Sequence, residues 1–148
     1  MKLDALLEAL QEAFPFKELN PRPVPVGETF ITLPPDCLHR AVGLLVERFD
    51  LRHLSAITGE DVGDEIVLLY HFWDNQGLTL RTALRRAEAR IATVTDLIPG
   101  AALYEREVSE MLGVTFEGHP GPQVLLLPDD WDDEPPSYPL RQRQEEDS

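Results

Sequence analysis

Apolar residues recur three and four positions apart in three stretches of the chain, the spacing that lines one side of an α-helix. Leu3, Leu6, Leu7, Leu10 and Phe14 make the first stripe. Pro15 ends that helix, because its ring crowds the preceding turn and it offers no N–H. Leu38, Ala41, Val42, Leu45 and Phe49 make the second, over a helix entered at Pro34-Pro35-Asp36 and running to about Phe49. Proline is tolerated in a first helical turn, and an acid there faces the positive end of the helix dipole. Ala101, Tyr104, Val108, Met111 and Leu112 make the third, over residues 101–112, and Gly113 breaks it.

Between the second and third helices the period drops to two. "LRHLSAITG" predicts a strand and "EDVGD" a turn. "EIVLLYHFW" is apolar on both alternating faces, with Ile66, Leu68, Tyr70 and Phe72 on one and Val67, Leu69 and Trp73 on the other. That pattern predicts a central strand covered, at least in part, on both sides. "DNQG" turns the chain into "LTLRTALRR", where Leu78, Leu80, Thr82 and Leu84 alternate with Thr79, Arg81, Ala83 and Arg85, giving one buried face and one polar face. Upstream, "TFITLP" predicts a short strand, and the alternating prolines of "NPRPVPVGE" restrict that stretch to an edge strand or an extended connector. Helices and strands come in blocks, so the fold class is α+β: a mixed, largely antiparallel sheet packed with two or three helices.

Beyond Gly113 the character changes. This part holds six of the 13 prolines, yet also Leu125, Leu126, Leu127, Trp131 and Tyr138. The division predicts an α+β domain over 1–113 and an extended proline-rich C-terminal segment over 114–148. The large apolar groups of that segment pack back on the sheet or meet another chain. The closing "RQRQEEDS" reads as a disordered tail.

Charge narrows the partners. The net charge is -14, from 13 basic against 27 acidic residues. Nucleic acid binding needs a basic face that displaces counterions, and an anionic membrane surface repels an acidic chain. No nucleic acid and no direct membrane insertion are therefore expected, the second also because no apolar run approaches the roughly 20 residues of a membrane span. A basic protein partner is compatible, since complementary charge steers encounter. The acid-interrupted leucines of "MKLDALLEALQEAF" do not make a secretory signal, and the single Cys37 suits a reducing compartment.

The stretch "YEREVSEMLGVTFEGHP" raises the question of catalysis. On a helix turning about 100° per residue, Glu105 and Glu107 fall on opposite borders of the third apolar stripe, and Arg106 lies near Glu110 at i,i+4. Acids that diverge do not share a proton or a metal ion. His119, between Gly118 and Pro120, is expected to shape a loop by hydrogen bonding or to serve an interface, and His71 to be a satisfied core or boundary histidine. "PDDWDDE" lacks the spacing of a calcium loop and reads as a solvated acidic loop. No metal, no bound cofactor and no catalytic residue is expected on this chain, since no phosphate loop, dinucleotide fingerprint, nucleophile elbow or cysteine cluster is present.

"VTDLIPGAALYEREVSEMLGVTFEGHP", "LLLPDDW" and "PLR" together resemble the C-subunit family of NADH-quinone oxidoreductase, the 30 kDa subunit of respiratory complex I, whose relatives serve membrane-bound hydrogenases and other complex I-like dehydrogenases. The likeness runs from about Thr93 to Arg141. Glu105, Arg106 and Glu107 match the family's E-R-E, with Gly113 following. Gly118, His119 and Pro120 match its G-H-P, and Asp129, Asp130 and Trp131 its D-D-W, before Pro139, Leu140 and Arg141. The resemblance implies a non-catalytic peripheral-arm subunit set against the large quinone-site subunit and beside the iron–sulfur subunits. NAD, FMN, iron–sulfur clusters and quinone then belong to the assembled complex. The place implied is the cytoplasmic face of the cell membrane, reached through the complex.

Helix 101–112 is then expected to anchor its stripe in the domain and offer Leu103, Glu107 and Glu110 to a partner. The close alternative is the equivalent subunit of a membrane-bound hydrogenase or another complex I-like dehydrogenase. The alternatives of other classes are a small stand-alone metal-dependent enzyme using Glu105, Glu107 and His119, and a soluble paralogue that binds a different partner.

Overall fold

The computed structural model describes residues 3–15, 22–24 and 28–121. Helix α1 (Leu3–Ala13) and helix α2 (Pro35–Phe49) form where the apolar stripes predict them. Pro35 opens α2, and Asp50 closes it in the left-handed conformation with φ 50°. The proline-alternating stretch supplies a three-residue strand, β1 (Arg22–Val24), followed by β2 (Glu28–Thr32).

Three longer strands come next: β3 (Leu54–Asp61), β4 (Glu65–Trp73) and β5 (Gly77–Arg85). They make two successive hairpins, with Asp61 opposite Ile66 in the first and Trp73 opposite Gly77 in the second. Their turns need positive φ at Gly63 (101°) and Asn75 (63°), which glycine and asparagine adopt most readily. Arg86 locks the first turn, its guanidinium donating to both Asp61 oxygens at 2.6 and 2.7 Å.

The sheet order is β1-β2-β5-β4-β3. Only the β2–β5 pair is parallel; the others in this sheet are antiparallel. Helix α2 therefore carries the chain from β2, near one edge, to β3 at the opposite edge.

Alternation along the strands decides where the core sits. Ile31, Ile66, Leu68, Tyr70, Phe72, Leu78, Leu80, Thr82 and Leu84 share one face and are buried. Leu6 and Leu10 of α1 and Leu38, Val42 and Leu45 of α2 close over it. Each such side chain, fully buried, contributes about 1.5–3 kcal/mol.

The second face of β4 is covered in part, as its apolar sequence predicts. Val67 is buried and Leu69 is partly covered, but Trp73 remains 45% exposed. On that face His71 lies between Thr58 Oγ1 (3.0 Å) and Thr79 Oγ1 (3.1 Å), the satisfied boundary position expected of it. Burial pulls its pKa down, against the opposing charge of Glu28.

Two further strands, β6 (Arg90–Ala92) and β7 (Thr115–Glu117), form a separate parallel ribbon. Helix α3 (Ala101–Leu112) lies between them in sequence. The fold does not stop at Gly113, because β7 pairs with β6 while Val114 and Phe116 are buried in the same core as the sheet. Leu125, Leu126, Leu127, Asp129, Asp130, Trp131, Tyr138, Pro139, Leu140, Arg141 and the closing tail lie outside the described residues.

Candidate functional site

Helix α3 starts after Pro99-Gly100 and ends at Gly113, whose φ of 76° is the left-handed closure that glycine permits. The helix packs on β3 at Gly59: a Cβ there would meet Leu112 Cδ1 at 2.3 Å and Val108 Cγ1 at 3.5 Å. The buried residues of α3 are Ala101, Ala102, Glu105, Val108 and Leu112. That arc is rotated from the stripe read off hydrophobicity. Met111 turns outward, 40% exposed, and Tyr104 is only partly covered. Glu105 moves from the border of the stripe to its middle and is 0% exposed, so its carboxylate is not offered to a partner on this surface.

What Glu105 meets explains how an acid is tolerated there. Its Oε1 accepts from Thr93 Oγ1 at 2.5 Å and its Oε2 from the backbone N–H of Val94 at 2.9 Å. Thr93 has one proton to give and gives it to the carboxylate. Its oxygen therefore accepts from Thr95 N (3.1 Å) and from the Thr95 hydroxyl (2.8 Å). The chain then makes one helical turn, with the N–H groups of Leu97 and Ile98 both donating to Val94 O. Burial pushes the Glu105 carboxyl above the ordinary carboxylate range, and the two hydrogen bonds pull it back only in part. Tyr70, in the sheet beneath, is pushed well up by its own burial and then by the charge of Glu105.

The glycine-histidine-proline motif ties the other side of the same helix. Gly118 adopts φ 88° and lies close against Thr93, where a Cβ would meet Cγ2 at 3.1 Å. Nδ1 of His119 accepts from the N–H of Gly121 at 2.9 Å, so Nε2 carries the proton and donates to Ala102 O at 3.0 Å. Both ring nitrogens are thus occupied by backbone groups, the loop-shaping role expected of this histidine.

Glu107 points away from all of this and is exposed. Arg106 pairs with Glu110 one turn on, as the spacing predicts. Leu103, 59% exposed, stands beside them on the outer side of the helix. Glu105, Glu107 and His119 do not gather around one point, and no group of three histidine, cysteine or acidic side chains is arranged to hold a metal ion among the described residues.

The E-R-E and G-H-P segments are therefore parts of one packed unit: α3, the turn it caps and the ribbon that brackets it. Residues 31–147 match the family model described as the 30 Kd subunit of respiratory-chain NADH dehydrogenase. The chain belongs to that family. Within it, the C subunit of NADH-quinone oxidoreductase from Salinispora tropica is 31% identical over 150 residues, covering 93% of this chain and 61% of the relative. The same subunit from Chloroherpeton thalassium is 34% identical over 100 residues, covering 64% of this chain and 40% of the relative. The chain thus spans less than two thirds of the length of these 30 Kd family members.

Solved structures share the fold, among them two that superpose over most of this chain. The trypsin-resistant fragment (1–134) of Nqo5 superposes with a TM-score of 0.65 at 25% identity, over 78% of this chain and 98% of that one. A chain of the membrane-bound sulfane sulfur reductase, an archaeal respiratory membrane complex, superposes with a TM-score of 0.70 at 25% identity, over 95% of this chain and 84% of that one. Among the described residues of this 30 Kd family member, no helix is long and apolar enough to cross a membrane.

The buried role of Glu105 runs against its acidic character, but the sequence holds a signal for it. On a helix turning about 100° per residue it lies about 20° from Leu112, the apolar residue at that border of the stripe.

Proposed function

We propose that this chain is a non-catalytic peripheral-arm subunit of an NADH-quinone oxidoreductase of the complex I type. It docks against the large quinone-site subunit and the iron–sulfur subunits, on the cytoplasmic face of the cell membrane. NAD, FMN, iron–sulfur clusters and quinone are carried by those companions. The observation that carries this reading is how the motif residues are used. The polar atoms of Glu105 and His119 are occupied by groups of the same domain, while Leu103, Glu107 and Met111 of the same helix face outward. The motif builds a rigid platform and leaves a surface for attachment. Membership of the 30 Kd subunit family supports the choice of assembly.

The test is capture from native membranes with the full chain tagged. The expected companions are the quinone-site and iron–sulfur subunits, identified by mass. Glu107→Lys is expected to lower their recovery severalfold while leaving circular dichroism and melting temperature unchanged, because Glu107 is exposed. A Glu107→Lys chain that unfolds by itself, or stoichiometric zinc or iron in the purified wild-type chain, defeats the reading.

A second reading rests on the likeness to the archaeal sulfane sulfur reductase chain, which extends over 95% of this chain. In it the same platform serves a complex I-like membrane complex with a different electron donor or acceptor, such as a membrane-bound hydrogenase. The companions recovered in the same capture decide between the two.

A further inference from the structure

Helix α3 presents a row of three side chains to the outside: Leu103, Glu107 and Met111, each four residues from the next. Positions i, i+4 and i+8 form a ridge of the kind that seats between the side chains of a facing helix. Both ends are apolar and exposed, and the centre is an exposed acid. The neighbouring polar groups are already engaged. Arg106 holds Glu110, Glu105 holds Thr93 and Val94, and His119 holds Ala102 O. Glu107 makes no hydrogen bond or ion pair among the described residues.

We propose that this ridge docks a helix of a second protein, one that brings an arginine or lysine to Glu107 and apolar residues one turn above and below it. The inference rests on the reading of the chain as a docking subunit and names the chemistry of what docks. Charge selects the occupant. The ridge is nearly symmetric about Glu107, so a second copy packed antiparallel across a two-fold axis sets Glu107 against its own equivalent. Like charges opposed in that way work against association. An anionic lipid surface is repelled by the same acid and by the net charge of -14. A cationic helix meets neither obstacle, and the acidic chain as a whole speeds its approach. Once Leu103 and Met111 are covered, the pair at Glu107 is shielded from water. It then discriminates far more strongly than an exposed surface pair, because removing one charge strands the other.

The experiment uses the full chain in its native host, with a photo-crosslinking amino acid in place of Leu103 or of Met111, and sequences the adducts by mass spectrometry. The expected result is a peptide of amphipathic helical pattern from another protein, containing an arginine or lysine. Its yield is expected to fall at least about tenfold when Glu107→Lys is added, and to return when that basic residue of the partner is changed to glutamate. An adduct to a second copy, an adduct to lipid, a peptide without a basic residue, no adduct from either position, or a yield indifferent to Glu107→Lys each overturns the proposal. If the oxidoreductase companions co-purify with Glu107→Lys undiminished, the docking chemistry fails while the proposed function stands. If the adduct is a basic helix of a protein outside any such complex, the proposed function fails while the docking chemistry stands.

Discussion

Glu105 sets a carboxylate against two donors inside the core, Thr93 Oγ1 and Val94 N. Its removal has a definite expected consequence. Glu105→Ala leaves the Val94 N–H buried without its acceptor and opens space beside Val108, which costs about 2–4 kcal/mol of folding stability. Urea unfolding measures it, and a loss below the scatter of the curves contradicts the assignment. The pH dependence has a definite sign. Unfolded, the carboxyl titrates in the ordinary glutamate range, about 4.3. Folded, burial raises it. Between those values the native state keeps a proton that the unfolded chain has released, so the stability contributed here is fully present below the ordinary range and is lost as pH rises through the folded value. Glu105→Gln, which cannot ionise, isolates the effect. Wild type is expected to lose stability relative to it as pH climbs above about 4.3, then level off. A wild-type stability that stays flat or rises with pH relative to Glu105→Gln rules out the raised carboxyl.

At the scale of elements, the position of α3 is set by a glycine on another element. Gly59 of the edge strand β3 lets Leu112 approach to where a Cβ would stand, 2.3 Å away. Leu112 is 1% exposed, so its Cδ1 would have to turn within the core. Gly59→Ala is therefore expected to force repacking of Leu112 and to lower stability by about 1–3 kcal/mol, although alanine suits a strand better than glycine does. Denaturant midpoints check this, and an unchanged or raised midpoint means that α3 is not seated there. The same contact shows what the sequence could and could not convey. The limits of α2 and α3 are legible because Pro34-Pro35 and Gly113 punctuate them, and β4 and β5 because nine residues give a period of two enough repeats to be seen. The ribbon is not, since β6 and β7 each bury a single strand residue, Ile91 and Phe116, and one residue has no period. Hydrophobicity misplaces the rotation of α3 because it groups Met111 and Tyr104 with the core. Burial follows instead from two donors waiting at Thr93 and Val94, which no count of apolar residues contains. His119 is legible for a related reason: flanked by glycine and proline, it has a loop to hold.

For the whole molecule, the question is which part of the chain folds and which part serves assembly. The buried core runs from Leu6 to Phe116, and every helix and strand described falls within residues 3–117. After β7, His119 returns the chain to Ala102 and Gly121 closes that contact. Among the described residues, the last buried core side chain is Phe116 and the last hydrogen-bond contact is made at Gly121. A chain ended after Gly121 is therefore expected to unfold cooperatively, with a melting temperature within about 5 °C of the full chain, a shift that corresponds to roughly 1–2 kcal/mol in a protein of this size. The same truncated chain is expected to recover fewer companions from native membranes, because Leu125, Leu126, Leu127 and Trp131 would then serve contact with neighbours rather than the core. Calorimetry and the membrane capture give separate readings. If the melting transition broadens or disappears, those residues complete the domain, and its boundary lies beyond Gly121. If both the melting temperature and the companions survive truncation, attachment rests on the domain alone, and the outer ridge of α3 becomes the main place left to look for it.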